Sequence, residues 1–466
     1  MKKKIESRSR SNREDAVESL QQILARIQKV VVYRSVLEDP VVKAFLNFLD
    51  GITNKNTLST KVINSISKHY ARFFTKLSSR IAPSNRNFLR TAWQDYLLNK
   101  ILSDENPFSL KAEQTDIAQL GTSLVLQVED DLNRLQDLFA IQSKQIRTIL
   151  QRIGWEKTWP GWEEIEQPNN FLKADLDCRY SIKNQFNEAL KWKSLVNELS
   201  DFYYQNGAGK FSMFKAFHWQ STENGGKLQG ISSPDPVKMD DLVGFEDQKD
   251  WLIRNTSYFL AGHPANNVFV YGDRGTGKSS SIKALLNYFS NDLLRIVEVS
   301  RNNLNDLPKV MQLLKNRKLF FIIFVDDLSF EEEETEYKTL KAILEGSLET
   351  RPSNVLIYAT SNRKHLIREF FSDRKNFENE EVRSQDTFQE KVSLADRFGI
   401  QLAFVAPDQK QYLEIVHSIC KKRSLKISKE ILERRALEWA QLYNARSGRT
   451  ARQFMDFLTA EMQTQP

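Results

Sequence analysis

A glycine-rich segment that ends in lysine and serine is the part of this sequence best suited to chemistry. It reads Gly-Asp-Arg-Gly-Thr-Gly-Lys-Ser over residues 272–279 and follows the apolar run Val268 to Tyr271. Glycines at this spacing let backbone N–H groups turn inward around an anion, and the helix that follows adds the positive charge of its N-terminus. The segment predicts a phosphate-binding loop for ATP, in which Lys278 reaches the β- and γ-phosphates and the Ser279 hydroxyl binds Mg²⁺. The loop residues expected to contact ATP are Gly272, Asp273, Arg274, Gly275, Thr276, Gly277, Lys278, Ser279 and Ser280.

Two aspartates follow another apolar run, Leu319 to Val325. An acidic residue at the carboxyl end of a buried strand beside the phosphate loop is suited to the magnesium side of a nucleotide site. We therefore expect Asp326 to be a metal ligand, together with Ser279, and Asp327 to polarise the attacking water. The alternative is that both aspartates only cap the strand.

Asn362 ends a third polar segment, Tyr358 to Asn362, which follows the apolar residues from Val355. A polar side chain at the end of that strand is expected to lie between the two aspartates and the γ-phosphate. Asn362 is therefore a candidate for orienting the water and reporting which nucleotide is bound. By itself, Ser-Asn after a strand usually indicates only a turn. A further segment, Gly207 to Lys210, resembles part of a phosphate loop, but it lacks the first glycine and the final hydroxyl, and we interpret it as a turn.

The elements that would position these residues form an α/β pattern. Short apolar runs alternate with helix-length segments, and near-continuous apolar strands are typical of a parallel sheet buried on both faces. The sequence therefore predicts an α/β/α sandwich with a five-stranded parallel sheet, followed by helices from Asp408 to Met462. The five expected strands are Asn267 to Tyr271, Leu293 to Val299, Leu319 to Val325, Val355 to Ala359 and Leu402 to Val405.

The first half of the chain shows helical periodicity instead. Apolar residues recur at helical spacing in the segments Ala16 to Val32, Val62 to Ile81, Phe88 to Leu102 and Ile117 to Ile153. This pattern predicts a mostly α-helical N-terminal domain, although periodicity alone does not separate a core from an interface. Residues 224–236 are rich in Gly, Ser and Pro and are interpreted as a linker.

Composition excludes several classes of protein. The chain has 466 residues, a net charge of +7 and two cysteines, Cys178 and Cys420, which are too far apart for a CxxC zinc motif. We therefore expect neither a disulfide framework nor a zinc site, and we expect a cytoplasmic location. No apolar run approaches the roughly 20 residues of a membrane-spanning helix. The positive charge is compatible with nucleic acid as a partner, although an ordinary soluble protein is the favoured interpretation.

Taken together, these motifs resemble those of an AAA+ ATPase, and more closely those of the bacterial family known as domain of unknown function 815. The resemblance covers roughly residues 210–460. The segments that carry it are Asp241 to Phe245, Pro264 to Asn267, Tyr271 to Ser280, Phe324 to Phe330, Tyr358 to Arg363 and Asp396 to Gly399. It implies an AAA+ nucleotide-binding domain over 241–407 and a helical lid over 408–466. Before them we place a disordered basic arm over 1–14, a helical domain over 15–222 and a linker over 223–240.

The resemblance also implies further site residues. Val243 and Gly244 precede the first strand, where AAA+ proteins hold adenine. Arg397 resembles the arginine finger, which reaches the γ-phosphate of a neighbouring subunit. Arg452 resembles the sensor 2 residue of the lid, and Arg449, three residues earlier, is the alternative. A homo-oligomeric ring or arc is therefore implied, acting on a macromolecular client that is either protein or nucleic acid.

One departure from the AAA+ pattern affects the expected activity. Most AAA+ proteins have Asp-Glu where this chain has Asp326 and Asp327, and aspartate is one methylene shorter. The first hypothesis is an ATPase that remodels or loads its client, and the second is an ATP-gated switch with little turnover. A small-molecule kinase or GTPase is disfavoured, because the sequence has no Asn-Lys-x-Asp base-reading motif.

Overall fold

A computed structural model describes most of the chain. It covers residues 17–53, 59–80, 91–152, 160–165, 178–223, 225–290, 293–330, 336–345, 351–363, 394–443 and 446–464. The predicted basic arm, 1–14, lies outside the described residues. The chain divides into two compact units, Met1–Met213 and Phe214–Pro466.

The first unit is built from helices, as the sequence predicts. A helix over residues 17–27 (α1) is followed by α2 Arg34–Glu38, α3 Pro40–Thr53, α4 Thr60–Ser78, α5 Ala92–Leu102, α6 Pro107–Ala112, α7 Thr122–Phe139, α8 Ser143–Arg152, α9 Cys178–Glu188 and α10 Val196–Asn206. Short 3₁₀ turns lie at Ile117–Gln119, Trp162–Glu164, Trp192–Leu195 and Gly209–Ser212.

An aromatic cluster forms part of the core of this unit. The rings of Phe45 and Trp93 lie 4.2 Å apart, and Phe73 is 4.7 Å from Phe45. Trp162 packs its edge against Phe45 at 5.4 Å, and it is almost fully buried. Aromatic rings contribute large apolar areas and favour such tilted and edge-to-face contacts. The helices α3, α4 and α5 are therefore fixed with their apolar faces inward.

The Gly207 to Lys210 segment is a turn, as interpreted from the sequence. Gly207 and Gly209 both have positive φ angles, 84° and 65°. The Ala208 N–H donates a 2.8 Å hydrogen bond to Glu113 Oε2, and Glu113 is buried. The chain's own carboxylate thus accepts a backbone N–H of this turn.

The second unit contains a seven-stranded sheet. Its strands are β1 Ala216–Gln220, β2 Lys227–Gly230, β3 Val268–Gly272, β4 Leu294–Glu298, β5 Phe320–Val325, β6 Val355–Ser361 and β7 Ile400–Phe404. The order across the sheet is β2-β1-β4-β5-β6-β3-β7. All neighbours are parallel except β1 and β2. Every residue of β6 is buried, which requires cover on both faces of the sheet.

The predicted count of five strands is corrected to seven. The five expected strands are present as β3 to β7, and the hairpin of β1 and β2 adds two more at one edge. The hairpin turn uses Gly225 and Gly226, both with positive φ, so the glycines that indicated a linker serve as a turn. β2 is a short edge strand with Leu228 as its buried residue, and its sequence therefore carries little strand signal. The two units separate after Met213, before the boundary at 222 expected from sequence.

Helices surround the sheet and form the lid. They are α11 Glu246–Leu260, α12 Lys278–Tyr288, α13 Leu307–Leu314, α14 Glu336–Glu345, α15 Gln409–Lys422, α16 Lys429–Leu442 and α17 Gly448–Thr464, with 3₁₀ turns at Met239–Asp241, Arg301–Asp306 and Ala395–Arg397. Asp408 begins α15 with a capping box to Gln411, which stabilises its first turn. The helices α15, α16 and α17 share a separate apolar core. Within the described ranges, no helix has the length and hydropathy to cross a membrane.

Candidate nucleotide site

A cavity of about 650 Å³ opens where the parallel strands end at their carboxyl edge. Ligands bind at this edge in open α/β sheets, because loops and helix N-termini converge there. The cavity brings together segments that are far apart in sequence. Its lining includes Val243, Gly244, Arg274, Gly275, Thr276, Gly277, Lys278, Ser279, Ser280, Asp326, Asp327, Asn362 and Arg452.

The loop between β3 and α12 begins at a position that only glycine can occupy. Gly272 has φ 134°, and a Cβ there would lie 2.0 Å from the carbonyl oxygen of Phe404. The next residue, Asp273, donates its N–H to that same carbonyl at 3.0 Å, and its carboxylate accepts from Ala406 N at 2.7 Å. The loop is therefore fixed to the end of β7 before it turns over the N-terminus of α12.

Lys278 lies at the first position of α12 with its ammonium among three oxygens. Nζ donates to the carbonyls of Gly272 at 2.9 Å and Asp273 at 2.7 Å, and to Asn362 Oδ1 at 3.1 Å. Burial lowers the pKa of Lys278, and the positive charge of Arg449 lowers it further. The carboxylates of Asp273 and of the two aspartates after β5 oppose this shift. A buried ammonium held by weak neutral acceptors is suited to exchanging them for phosphate oxygens.

Ser279, Asp326 and Thr360 form a hydrogen-bonded group next to this lysine. Ser279 Oγ donates to Asp326 Oδ1 at 2.5 Å, and Thr360 Oγ1 donates to the same oxygen. Thr360 also accepts the N–H of Asp327 at 3.0 Å. One buried hydroxyl on β6 thus determines the orientation of the Asp326 carboxylate and the direction of the chain after it.

Asp327 has an unusual backbone for a residue with a side chain. Its φ is 50°, in the left-handed region, which costs most residues about 1 kcal/mol or more. Thr360 holds its N–H, and Asn362 Nδ2 donates to Asp327 Oδ1 at 2.6 Å. Asn362 therefore links Lys278 to Asp327 through its two amide atoms.

The lid contacts the phosphate loop directly. Arg449 N donates to the carbonyl of Gly275 at 3.2 Å, and a Cβ on Gly275 would lie 2.8 Å from Ser447 Oγ. Arg449 and Arg452 both line the cavity, one turn apart on α17. Of these two arginines, Arg449 is the one whose charge lowers the pKa of Lys278.

The opposite wall of the cavity is partly apolar. Val243 and Gly244 lie beside Phe245, which adopts a left-handed conformation with φ 60° and stacks on Phe404 at 4.6 Å. Ile415 and Ile419 of α15 face the same space. A planar base fits between such apolar side chains and a backbone that passes close to it.

Arg397 does not belong to this cavity. It lies in the 3₁₀ turn before β7, at the amino edge of the sheet, and its Nη2 is 3.0 Å from Glu345 Oε1 at the end of α14. β7 runs parallel to β3, with Ile400 opposite Val268 and Phe404 opposite Gly272. The five residues of β7 separate Arg397 from the phosphate loop by about 15 Å.

The structure thus brings Arg274 to Ser280 of the predicted phosphate loop together with Asp326, Asp327, Asn362 and Arg452. Gly272 and Asp273 do not line the cavity, since they adjoin the end of β7. Arg397 lies apart from the cavity. Sequence reasoning missed Thr360, which is fully buried. Thr360 lies inside the predicted polar segment Tyr358 to Asn362. Because β6 is buried along its whole length, its sequence does not alternate between polar and apolar residues, and no pattern marks Thr360 as a site residue.

The fold and the site together define an ATPase of the AAA+ class. The strands β4-β5-β6-β3-β7 form a parallel core, with a phosphate loop after β3, acidic residues after β5, a polar amide after β6 and a lid of three helices. The chain belongs to the family described as "Protein of unknown function (DUF815)", whose model matches residues 212–462.

Two further comparisons are more distant. The chain is similar to AAA-ATPase At4g25835 of Arabidopsis thaliana, at 25% identity over an alignment of 277 residues that covers 56% of this chain. It spans about half, 53%, of that relative's length. Among solved structures, the chain is similar to the RuvB Holliday junction branch migration motor of Thermotoga maritima. The match covers 48% of this chain and 72% of the RuvB chain, with 15% sequence identity and a TM-score of 0.31.

Proposed function

We propose that this chain binds ATP with Mg²⁺ in the cavity at the carboxyl edge of the sheet and hydrolyses it to remodel or load a macromolecular client. One observation carries the proposal: Asn362 bonds both Lys278 and Asp327, beside the pair Ser279 and Asp326. This arrangement joins a phosphate-binding cation to a carboxylate suited to orient water. Hydrolysis needs both groups in one place, since catalysis of phosphoryl transfer is mainly positioning and electrostatic stabilisation.

Mg²⁺ fits the oxygen atoms that are present. Ser279 Oγ and Asp326 Oδ1 lie side by side, and Mg²⁺ prefers one or two protein oxygens together with phosphates and water. Among the described residues, no group of three His, Cys, Asp or Glu side chains forms a metal site of its own, which suits an ion brought by a nucleotide. Bound there, Mg²⁺ would neutralise negative charge on the phosphates.

The remaining residues have complementary proposed roles. Lys278 and the N–H groups of the loop hold the phosphates, while Val243 and Gly244 contact the adenine. Asp327 polarises the attacking water, and Asn362 orients it. Arg452 and Arg449 bring positive charge from the lid, and Arg449 is the nearer partner of the phosphate loop, because its own backbone is bonded to Gly275.

Arg397 is proposed to act on a neighbouring subunit. Its place at the amino edge, about 15 Å of strand away from its own phosphate loop, prevents it from reaching its own nucleotide. Its half-exposed guanidinium, paired with Glu345, is accessible to a second copy. Head-to-tail contacts of this kind produce rings or open arcs. We therefore propose a homo-oligomer in which each site is completed by the next subunit.

Subunit mixing tests the shared site. Arg397→Ala keeps its own phosphate loop, and Lys278→Ala keeps its arginine, so each variant alone should be nearly inactive. A 1:1 mixture should regain ATPase activity at about a quarter of the interfaces, since that share pairs one intact half with the other. The control is a mixture of Lys278→Ala with Asp327→Asn. Both residues belong to the same half of a site, so every site carries one defect or the other and the mixture should stay inactive. A monomer at every nucleotide concentration, with no rescue, would refute the shared site.

The second candidate function is an ATP-gated switch with little turnover. It is favoured by the short Asp327 side chain, whose Oδ1 is already bonded to Asn362. Rapid-quench measurement of a single turnover separates the two candidates. The ATPase proposal expects a burst of phosphate that Asp327→Asn abolishes without weakening ATP binding. Tight binding with no burst in the unaltered protein would support the switch instead.

A further inference from the structure

Helix α4 of the first unit carries basic residues and no acidic ones. Its 19 residues, Thr60–Ser78, contain neither Asp nor Glu. With about 100° of rotation per residue, Lys61, Lys68, Arg72 and Lys76 fall within an arc of about 80°. Arg80 follows in the turn after the helix. We refer to these five residues as the basic stripe. All except Lys76, which is half-buried, are exposed.

The opposite face of α4 fixes the direction of the stripe. Its apolar positions are buried in the core of the first unit, and Phe73 lies against Phe45 and Trp162. Five buried apolar residues at helical spacing hold the helix by its inner face, so the basic stripe faces solvent. They are Val62, Ile66, Tyr70, Phe73 and Leu77.

The charges of the basic stripe are not neutralised within the described residues. Ion pairs in this unit involve other cations, such as Lys100 with Asp39 at 2.8 Å and Lys183 with Asp95 at 2.7 Å. In the part of the chain that the structure describes, no stripe residue forms an ion pair, and Lys76 donates only to the carbonyl of Pro40. Four cations, from Lys61 to Lys76, therefore extend over about 22 Å of helix, and Arg80 follows in the next turn.

We propose that the basic stripe binds the sugar-phosphate backbone of a nucleic acid, independently of base sequence. Positions four residues apart repeat every ~6 Å along the helix, which suits a row of regularly spaced phosphates. A membrane surface is a poorer fit, because an interfacial helix buries its apolar face in the lipid and that of α4 is already used in the core. That this nucleic acid is the client of the ATPase rests on the proposed function, whereas the binding itself does not require ATP.

Salt-dependent binding of the full chain to labelled oligonucleotides tests the inference. A 30-base-pair duplex and a 30-nucleotide single strand are titrated without nucleotide at 50 and 200 mM salt, with fluorescence anisotropy as the readout. Four duplex phosphate contacts give a slope of about −3.6 in log K against log salt, or a loss of about 10²-fold over this range. The variant Lys68→Glu/Arg72→Glu should lose at least about tenfold in affinity at 50 mM salt and reduce the slope by about 2.

A charge-matched variant serves as the control. Lys144→Glu/Lys193→Glu makes the same change of −4 in net charge at exposed positions of the same unit, outside the stripe. It should bind nucleic acid like the unaltered protein. ATP binding measured on both variants reports that the second unit is intact.

Three results would overturn the inference. They are absence of binding to both oligonucleotides at 50 mM salt, equal losses in the two double variants, and binding to phosphatidylserine vesicles without binding to nucleic acid. Failure of the proposed ATPase is separable, because Lys278→Ala should abolish ATP turnover while nucleic-acid affinity without nucleotide stays unchanged.

Discussion

Asp326 and Asp327 are neighbours in sequence, yet the backbone directs them to different partners. Asp326 is bonded to Ser279, while Asp327 turns into the left-handed region and is bonded to Asn362. Thr360 stabilises both arrangements, since its hydroxyl donates to one aspartate and accepts the N–H of the other. The division of roles between the two carboxylates therefore depends on a hydroxyl from a different strand.

Replacing that hydroxyl by a methyl group tests this dependence. Thr360→Val keeps the shape but removes the hydrogen bond to Asp326 and one of the two acceptors of the Asp327 N–H, which should cost about 1–3 kcal/mol of stability. We expect the rate of ATP hydrolysis to fall at least about tenfold, because Asp327, the carboxylate proposed to polarise the attacking water, loses its position. ATP affinity should be unchanged, since the loop contacts remain. Steady-state ATPase assays and isothermal titration measure the two quantities.

The conservative variant Thr360→Ser provides the control. It retains the hydroxyl and should hydrolyse ATP at close to the original rate. Full activity in Thr360→Val would show that Asp327 is held by other contacts.

At this scale the sequence predicts residue types better than residue contacts. The phosphate loop and the two aspartates could be predicted, because a contiguous motif determines its own backbone geometry. Thr360 could not, since its role depends on β5 and β6 being neighbours in register, with Val325 opposite Ala359.

The contact between the end of β3 and the end of β7 positions the phosphate loop. Gly272 ends β3 with one Cα hydrogen facing the backbone of Phe404, where a Cβ does not fit. Asp273 then bonds the same strand end through both its N–H and its carboxylate. This pairing places the phosphate loop over the N-terminus of α12, and thereby positions Lys278.

Gly272→Ala should therefore damage both the fold and the site. The added Cβ would lie 2.0 Å from a backbone oxygen at φ 134°, so we expect a loss of more than about 3 kcal/mol in unfolding free energy and no nucleotide binding. Thermal unfolding and ATP titration provide the readouts.

Gly51→Ala in α3 is a control in which the same substitution should raise stability. Its Cβ would meet His69 and Ile66 at ordinary contact distances, 3.7 and 3.8 Å, inside a helix. Stability should rise by about 0.5–1 kcal/mol, because glycine is a poor helix former. Unchanged stability and ATP binding in Gly272→Ala would mean that the loop can adopt another path.

On the scale of the whole molecule, the two units divide the chemistry unequally. Every residue of the candidate nucleotide site lies in the second unit, and the family model matches 212–462. The basic stripe lies in the first unit, outside that match. This division suggests that nucleotide chemistry and client binding are separate properties of the chain.

A fragment of residues 214–466 should bind ATP with the affinity of the full chain. It contains the sheet, the lid and all cavity residues. Ligand that binds only the folded state stabilises it by about 2.7 kcal/mol at 100 times its Kd. The thermal midpoint of the fragment should therefore rise with added ATP and Mg²⁺, and should not rise in the same fragment with Lys278→Ala. A folded fragment with no such shift would show that the first unit contributes to the site.

The sequence by itself determined the phosphate loop, the aspartates after β5, the amide after β6 and the helical character of the first half. Each is encoded by adjacent residues, through local backbone geometry or hydrophobic period. Only the tertiary structure decided that a glycine-rich segment forms the turn of a hairpin in the sheet and that Thr360 contacts both aspartates. It also decided that Arg449 contacts the phosphate loop, while Arg397 lies away from it. These outcomes depend on contacts between residues distant along the chain, such as Gly275 with Arg449, which no local pattern encodes.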